Sequence, residues 1–281
     1  MNLPQRAVLG SMHAKEAALR APFRRIGVEL LVPGGFDTDR WGSFAGDVQR
    51  RGSMEEAARA KARAAMIMTG LPVGLASEGS YGPHPFIPFL PLGLELLIWI
   101  DDENGVEIVE TMSDPAPCFD HLTVRSAAEA EAFLQRTGFP ETGLIVAPFA
   151  NAGPLPATAK GVRARAELDE AVASAGCRSP EGLAVIQTDM RAHMNPKRMS
   201  TIASLGERLV QRLATPCPAC RSPGFGKMRP GPGLPCSWCG TPTHEPSGEQ
   251  RVCETCGHAV FTPRIDGRDS ADPGACPACN P

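Results

Sequence analysis

The sequence predicts an α/β domain over residues 1–214 followed by a cysteine-rich, metal-organised module over residues 215–281. Three observations carry this. Short apolar runs alternate with helical stretches through the first 214 residues, the pattern of strands and helices packed in layers. Eight of the ten cysteines lie beyond residue 216. Residues 217–281 also hold 11 prolines and 9 glycines, which leaves little chain for helix interiors or an apolar core. A length of 281 residues accommodates about two domains. A formal charge of -3, with 21% charged residues of both signs, excludes a polybasic nucleic-acid coat and an acidic tail.

In chain order, Arg6–Gly10 reads as a strand that turns through Ser11-Met12-His13-Ala14-Lys15-Glu16 into an alanine-rich helix. Val28–Val32 is a second strand, and Phe36-Asp37-Thr38-Asp39-Arg40 after it is a loop. Met54–Thr69 is rich in Ala, Met, Glu, Lys and Arg, with Ser53 as N-cap and Glu55 and Glu56 in the first turn, which specifies a helix. Val73–Ser77 and Leu94–Asp101 read as buried strands. Asp102-Glu103-Asn104-Gly105 turns the second of them into Val106–Glu110. Helices are expected over 127–136, 163–175 and 196–213, and short strands over 144–147 and 183–187. The most apolar run, Phe86–Ile100, is too short to span a bilayer and is broken by Pro88, Pro91 and Glu95, so no membrane segment is expected. The first residues lack a signal-peptide pattern, and a cytoplasmic location is the expectation.

The cysteines form four Cys-x-x-Cys pairs: Cys217/Cys220, Cys236/Cys239, Cys253/Cys256 and Cys276/Cys279. Two such pairs supply the four thiolates of a closed tetrahedral zinc shell. The 15 residues between the first two pairs and the 19 between the last two suit tandem zinc ribbons with sequentially paired ligands, with cross-bracing as the alternative. Six Lys/Arg balance six Asp/Glu over 217–281, and two zinc tetrathiolates add a charge of about -4. This favours a structural or protein-docking module over a phosphate-binding one, with a protein or nucleic acid as the partner considered.

Polar clusters follow three predicted strands: Ser11, His13, Lys15 and Glu16; Glu78, Gly79, Ser80 and His84; and Thr188, Asp189, Arg191, His193, Asn195 and Arg198. Ligands of α/β sheets bind where strands deliver their carboxyl ends, so the three loops are expected to converge on an anionic ligand. A transition-metal centre of His13, His84, Asp189 and His193 is a further alternative.

Ser53-Met54-Glu55-Glu56-Ala57-Ala58-Arg59-Ala60-Lys61-Ala62-Arg63-Ala64-Ala65, continuing to Thr69-Gly70-Leu71-Pro72, resembles the helix motif of inosine triphosphate pyrophosphatases. Ala76-Ser77-Glu78-Gly79 falls where that family carries an acidic loop, and Ser11-x-His13-x-Lys15-Glu16 is similar to its phosphate loop. The similarity covers about residues 6–110. It implies an ITPase-like mixed-sheet domain that hydrolyses a nucleoside triphosphate: Glu56 and Glu78 would hold Mg2+, Lys15 and Lys61 would contact triphosphate oxygens, and water would attack the α-phosphorus. Asp189 joins Lys15, Glu56 and Glu78 as a catalytic candidate. Ser11, His13, Lys61, Gly79, Ser80, Arg191, His193 and Arg198 are the substrate-binding candidates. Ser77 stands where the family has an acid, which leaves the general base unassigned. The alternative is a non-catalytic nucleotide sensor or adaptor. The whole arrangement, with its paired-cysteine tail, also resembles a bacterial family of unassigned activity.

Overall fold

A computed structural model describes residues 3–38, 41, 52–153 and 155–281; Asp39 and Arg40 of the second loop lie outside them. The fold is mixed α/β with several sheets. By contact density the chain forms two compact units, one of Pro4–Gly105 with Val109–Arg208, the other built mainly of Leu209–Pro281 and including Val106–Ile108.

A five-stranded sheet is assembled from β1 (Arg6–Gly10), β2 (Glu29–Leu31), β3 (Val73–Pro83), β4 (Pro91–Asp101) and β5 (Val106–Asp114), in the order β2-β1-β3-β4-β5. Strands β2, β1 and β3 are parallel, and β3 and β4 form a long antiparallel hairpin. The chain leaves β1 through helix α1 (Glu16–Arg25) to β2 on one side, then returns through helix α2 (Met54–Thr69) to β3 on the other. That reversal makes the carboxyl ends of β1 and β3 a topological switch point, the place where open α/β sheets hold ligands.

Helix α2 begins as its composition predicts. Ser53 Oγ accepts the Glu56 amide and the Glu56 carboxylate accepts the Ser53 amide, a capping box; Gly70 closes the helix in the left-handed conformation at φ 69°. Its buried face is Ala57, Ala58, Ala62 and Ala65 with Met66. Such small side chains let the helix lie close on the sheet. At Gly10 of β1 an added Cβ would stand 2.9 Å from the Lys61 carbonyl oxygen, and at Gly74 of β3 it would meet Met66 at 2.7 Å.

Strand β3 runs past the expected end at Ser77. Glu78, Gly79 and Ser80 pair with Leu96, Glu95 and Leu94 of β4, so they belong to a strand and not to a loop. The β1 pairing ends at Gly10 opposite Ala76. From Ser77 onward β3 therefore has no strand partner on the β1 side.

The second sheet was not legible as a separate layer. It consists of β6 (His121–Val124), β7 (Leu144–Pro148), β8 (Ala159–Val162) and β9 (Ala184–Thr188), all antiparallel in the order β6-β9-β7-β8. Helices α3 (Glu131–Thr137) and α4 (Arg165–Arg178) cover it, and Phe133, Leu134, Leu168 and Val172 pack on Val124, Leu144, Val146 and Ile186. Burial of this apolar surface drives the layer together. After β9 the chain enters helix α5 (Pro196–Leu213), where the Asn195 side chain accepts the Arg198 amide and Pro196 occupies the first helical position.

The smaller unit has a three-stranded antiparallel sheet of β10 (Lys227–Pro230), β13 (Gly248–Val252) and β14 (Ala259–Pro263), ordered β10-β13-β14, and a two-stranded ribbon of β11 (Gly233–Pro235) with β12 (Pro242–Pro246). Its apolar centre is small: Cys217, Phe225 and Cys253, with Val260 against them. So little burial cannot offset the chain entropy of ordering such a segment, and metal ligation has to supply the difference.

Candidate functional site

The cysteines gather into two clusters, Cys217/Cys220/Cys253/Cys256 and Cys236/Cys239/Cys276/Cys279. The sequential pairing expected from spacing is corrected: the first pair joins the third and the second joins the fourth. Hydrogen-bonded strand pairing explains this, since β10 runs antiparallel to β13 and brings the chain after Cys220 beside the chain before Cys253. Likewise Cys236 bridges to Ala271 beside the last pair. Sulfur separations across the pairs are 3.7 Å for Cys217–Cys256 and Cys220–Cys253, 3.9 Å for Cys236–Cys279 and 3.6 Å for Cys239–Cys276. A tetrahedron with metal–sulfur bonds of about 2.3 Å has edges of about 3.8 Å, so both clusters fit zinc.

Each knuckle turns back on itself: the amides of Arg221, Gly240, Gly257 and Asn280 donate to the carbonyls of Cys217, Cys236, Cys253 and Cys276. Three of these turns end at positive φ, Gly240 and Gly257 at 73° and Arg221 at 65°, where a Cβ is strained. Arg221→Gly should raise the stability of the zinc-loaded unit by about 0.5–1 kcal/mol in chemical denaturation. The Ser222 hydroxyl and backbone hold the Cys220 thiol down to about 6, and Thr241 does the same for Cys239, while the neighbouring sulfurs push Cys279, and against the His258 backbone amide Cys256, up to about 12. Beside the first cluster, Glu254 receives Arg212 of α5 at 2.7 Å and Lys227 at 2.6 Å. The surplus histidines of this tail belong to neither cluster.

In the larger unit the three polar segments do converge. Lys15, at the start of α1, donates from Nζ to Ser77 Oγ at 2.7 Å. The His13 and His193 rings stack at 5.3 Å, joining the segment after β1 to that after β9. Arg198 reaches back from α5 to Glu95 of β4 at 2.6 Å, bonds the Met190 carbonyl, and lies 5.4 Å over the Tyr81 ring. Tyr81 gives its hydroxyl to Glu95 at 2.6 Å. Gly79 is required between them: a Cβ there would stand 2.7 Å from both Arg198 Nη2 and Glu95 Oε1. His84 stays apart at the β3–β4 tip, where its ring accepts the Phe86 and Ile87 amides.

Strand alternation separates two faces. Ala76 and Glu78 face α2, where Lys61 pairs with Glu78; both side chains are buried, so Lys61 is not a solvated helix residue. Ser77 and Gly79 face the opposite way, toward Lys15, Glu95 and Arg198. Ser80 is half-buried on the Glu78 face. Ser11 is buried where β1 ends and accepts the His13 amide at 3.4 Å. It also lines a cleft of about 430 Å3 with Met12, Ala14, Glu16 and Asp37. Ala14 adopts positive φ, 53°, a strained alanine in the segment that aims Lys15.

Two predicted catalytic carboxylates are committed elsewhere. Glu56 is exposed and held by Ser53 in the capping box, which keeps its carboxyl below the usual range. Asp189 is fully buried and clamps Arg191 through both oxygens, at 3.0 and 2.6 Å. Among the described residues the cysteine clusters are the only sets of three or more His, Cys, Asp or Glu close enough to share a metal, so the His13/His84/Asp189/His193 centre is not formed. Glu95 and Tyr81 were missed as site residues. The signal was present in Leu94-Glu95-Leu96-Leu97, one carboxylate in an apolar strand.

Burial, then the nearby Arg198 charge, hold the Lys15 ammonium down to about 7 against 10.5 unperturbed. Burial also lowers His193. Between pH about 7 and 10.5 the unfolded chain binds the Lys15 proton that the folded chain has lost, so stability gains from this group as pH rises through that window. Below 7 the penalty is full. Lys15→Met should therefore be more stable than wild type at about pH 6, by up to about 5 kcal/mol, with the gap narrowing toward about pH 9 in urea titrations.

No helix among the described residues is long and apolar enough to cross a membrane. Among curated proteins and solved structures nothing matches the chain. Residues 61–281, which take in the second sheet, α5 and both cysteine clusters, match the family described as "Domain of unknown function (DUF6671)", and the chain belongs to that family.

Proposed function

We propose that the larger unit binds a phosphorylated small molecule, a nucleoside triphosphate or related nucleotide, at the carboxyl ends of β1 and β3, and hydrolyses it. The observation that carries this reading is the buried charge balance. Lys61 pairs with Glu78 and Arg198 with Glu95, whereas the buried Lys15 between them has a neutral hydroxyl, and not a carboxylate, as its hydrogen-bond partner. A buried ammonium without a carboxylate is costly, and an anionic ligand repays that cost. The likeness of residues 6–110 to inosine triphosphate pyrophosphatases supports the nucleotide class.

Magnesium does not fit the residues that the likeness assigns to it. Glu56 is spent on the helix cap and Glu78 on Lys61, so no step is routed through the ion here. In this reading Lys15 and Arg198 hold phosphate oxygens and the Lys61–Glu78 pair sets the far wall. The same commitment of both carboxylates favours the second reading, a nucleotide sensor that binds without turnover. The tail serves as a metal-folded module for docking a protein partner; its acidic balance when loaded disfavours nucleic acid.

Isothermal titration with ATP, GTP, ITP and XTP tests the binding, and phosphate or pyrophosphate release with and without added magnesium tests the hydrolysis. Binding should weaken about 10–100-fold in Lys15→Gln, the worth of a charge-assisted hydrogen bond. Absence of binding by all four nucleotides, or equal binding by Lys15→Gln, would refute the proposal. Binding without product selects the sensor.

A further inference from the structure

We propose that Ser77 is a nucleophile and Lys15 its general base, so that a phosphate ester or anhydride at this site is cleaved through a covalent phosphate ester of Ser77. The inference rests on the phosphate-binding reading above and adds to it a reaction route and the missing base.

The geometry is that of an activated nucleophile. Lys15 Nζ lies 2.7 Å from Ser77 Oγ, inside the separation at which an amine takes a hydroxyl proton. Both groups are buried, and among the described residues Lys15 makes no ion pair that would lock it as an ammonium. The charged groups around it act in both directions. Arg198 from α5 and Lys61 from α2 favour the neutral amine, while Glu95 from β4 and Glu78 from β3 oppose it; burial decides the balance and brings Lys15 to about 7. Ser77 is the first residue of β3 beyond the β1 pairing, at the carboxyl end of the parallel strands, and its side chain is buried there.

In the first step a bond forms between Ser77 Oγ and phosphorus as the bond from phosphorus to the leaving oxygen breaks. The Ser77 proton passes to Lys15 Nζ, and the ammonium returns it to the leaving oxygen. In the second step water attacks the phosphorus, Lys15 takes a water proton, and that proton goes to the departing Ser77 Oγ. One water is consumed, and the enzyme is restored without any change of oxidation state.

The zinc-loaded full chain is incubated with ATP, GTP, ITP and XTP, and separately with a fluorophosphonate, whose fluoride leaves as serine oxygen bonds phosphorus. Denaturation and tandem mass spectrometry then locate any adduct. The expected result is an adduct on Ser77, formed faster as pH rises through about 7, absent in Ser77→Ala, and at least ~100-fold slower in Lys15→Arg, which keeps the charge but cannot act as a base. Circular dichroism checks that both variants are folded. Nucleotide turnover that persists in Ser77→Ala overturns the proposal, as does absence of an adduct from every probe. A chain that binds nucleotides yet takes no label loses the nucleophile alone; one that takes the fluorophosphonate yet binds no nucleotide loses the phosphate-binding reading alone.

Discussion

The double variant Cys220→Ser/Cys256→Ser should retain one zinc ion per chain, whereas Cys220→Ser/Cys239→Ser should retain none. In the first variant both lost thiolates belong to one cluster and the Cys236/Cys239/Cys276/Cys279 shell survives; in the second each cluster loses a ligand. Sequentially paired sites would give the reverse outcome for Cys220 with Cys239, so metal analysis of these two proteins decides the pairing. The structural consequence is as large as any in the molecule. Ligation of a structural zinc is worth about 10–16 kcal/mol near neutral pH, and residues 217–281 have few buried apolar side chains beyond Phe225, Leu234 and Val252. Chelation should therefore unfold it. The expected signature is loss of amide-exchange protection over 217–281, with protection of the second sheet of the larger unit retained.

Glu95→Leu should destabilise the larger unit by about 3–5 kcal/mol, because it leaves the Arg198 guanidinium buried against an apolar side chain. Arg198 and Glu95 are each 1% exposed. No water reaches the stranded charge, and the Met190 carbonyl compensates only part of it. The Tyr81 hydroxyl loses its acceptor in the same substitution. The triple variant Glu95→Leu/Arg198→Met/Tyr81→Phe should recover most of the loss, since it removes the unpaired groups together. Urea denaturation followed by the emission of Trp99, buried against Phe23, measures both differences. A single variant as stable as wild type would show that Arg198 finds another anion. A triple variant as unstable as the single one would show that packing, not charge, is lost.

Local signals in the sequence were read correctly where physics is local. Helix α2 followed from its composition and its Ser53–Glu56 cap, the chelating turns from Cys-x-x-Cys spacing, and the approach of the segments after β1 and β9 to the later part of β3 from the rule that ligands gather at strand ends. What failed was long-range choice. Spacing says that Cys217 and Cys220 chelate together but not which distant pair completes the shell. Arg198 and Glu95 are 103 residues apart, and nothing near either names the other. Glu56 was misread because one glutamate at the third helical position satisfies both a cap and a metal motif, and the cap is nearer. The four-residue strands β6 and β8 are too short to show a period; they exist because β9 and β7 present open edges to pair with.

Alternation of the two ligand sets along the chain also orders events during synthesis. Neither shell can close until Cys256 has been made, and the second waits for Cys279, whereas sequential sites would have let one ion settle at Cys239. The sequence separations to be closed are 33 and 37 positions, against 16 from Cys220 to Cys236. A doubling of that length costs only about 0.6 kcal/mol of chain entropy. The arrangement is thus thermodynamically cheap but kinetically late: four to six thiols emerge unprotected, open to oxidation or to the wrong metal, before the first shell closes, and Cys236 and Cys239 wait longer still for the second.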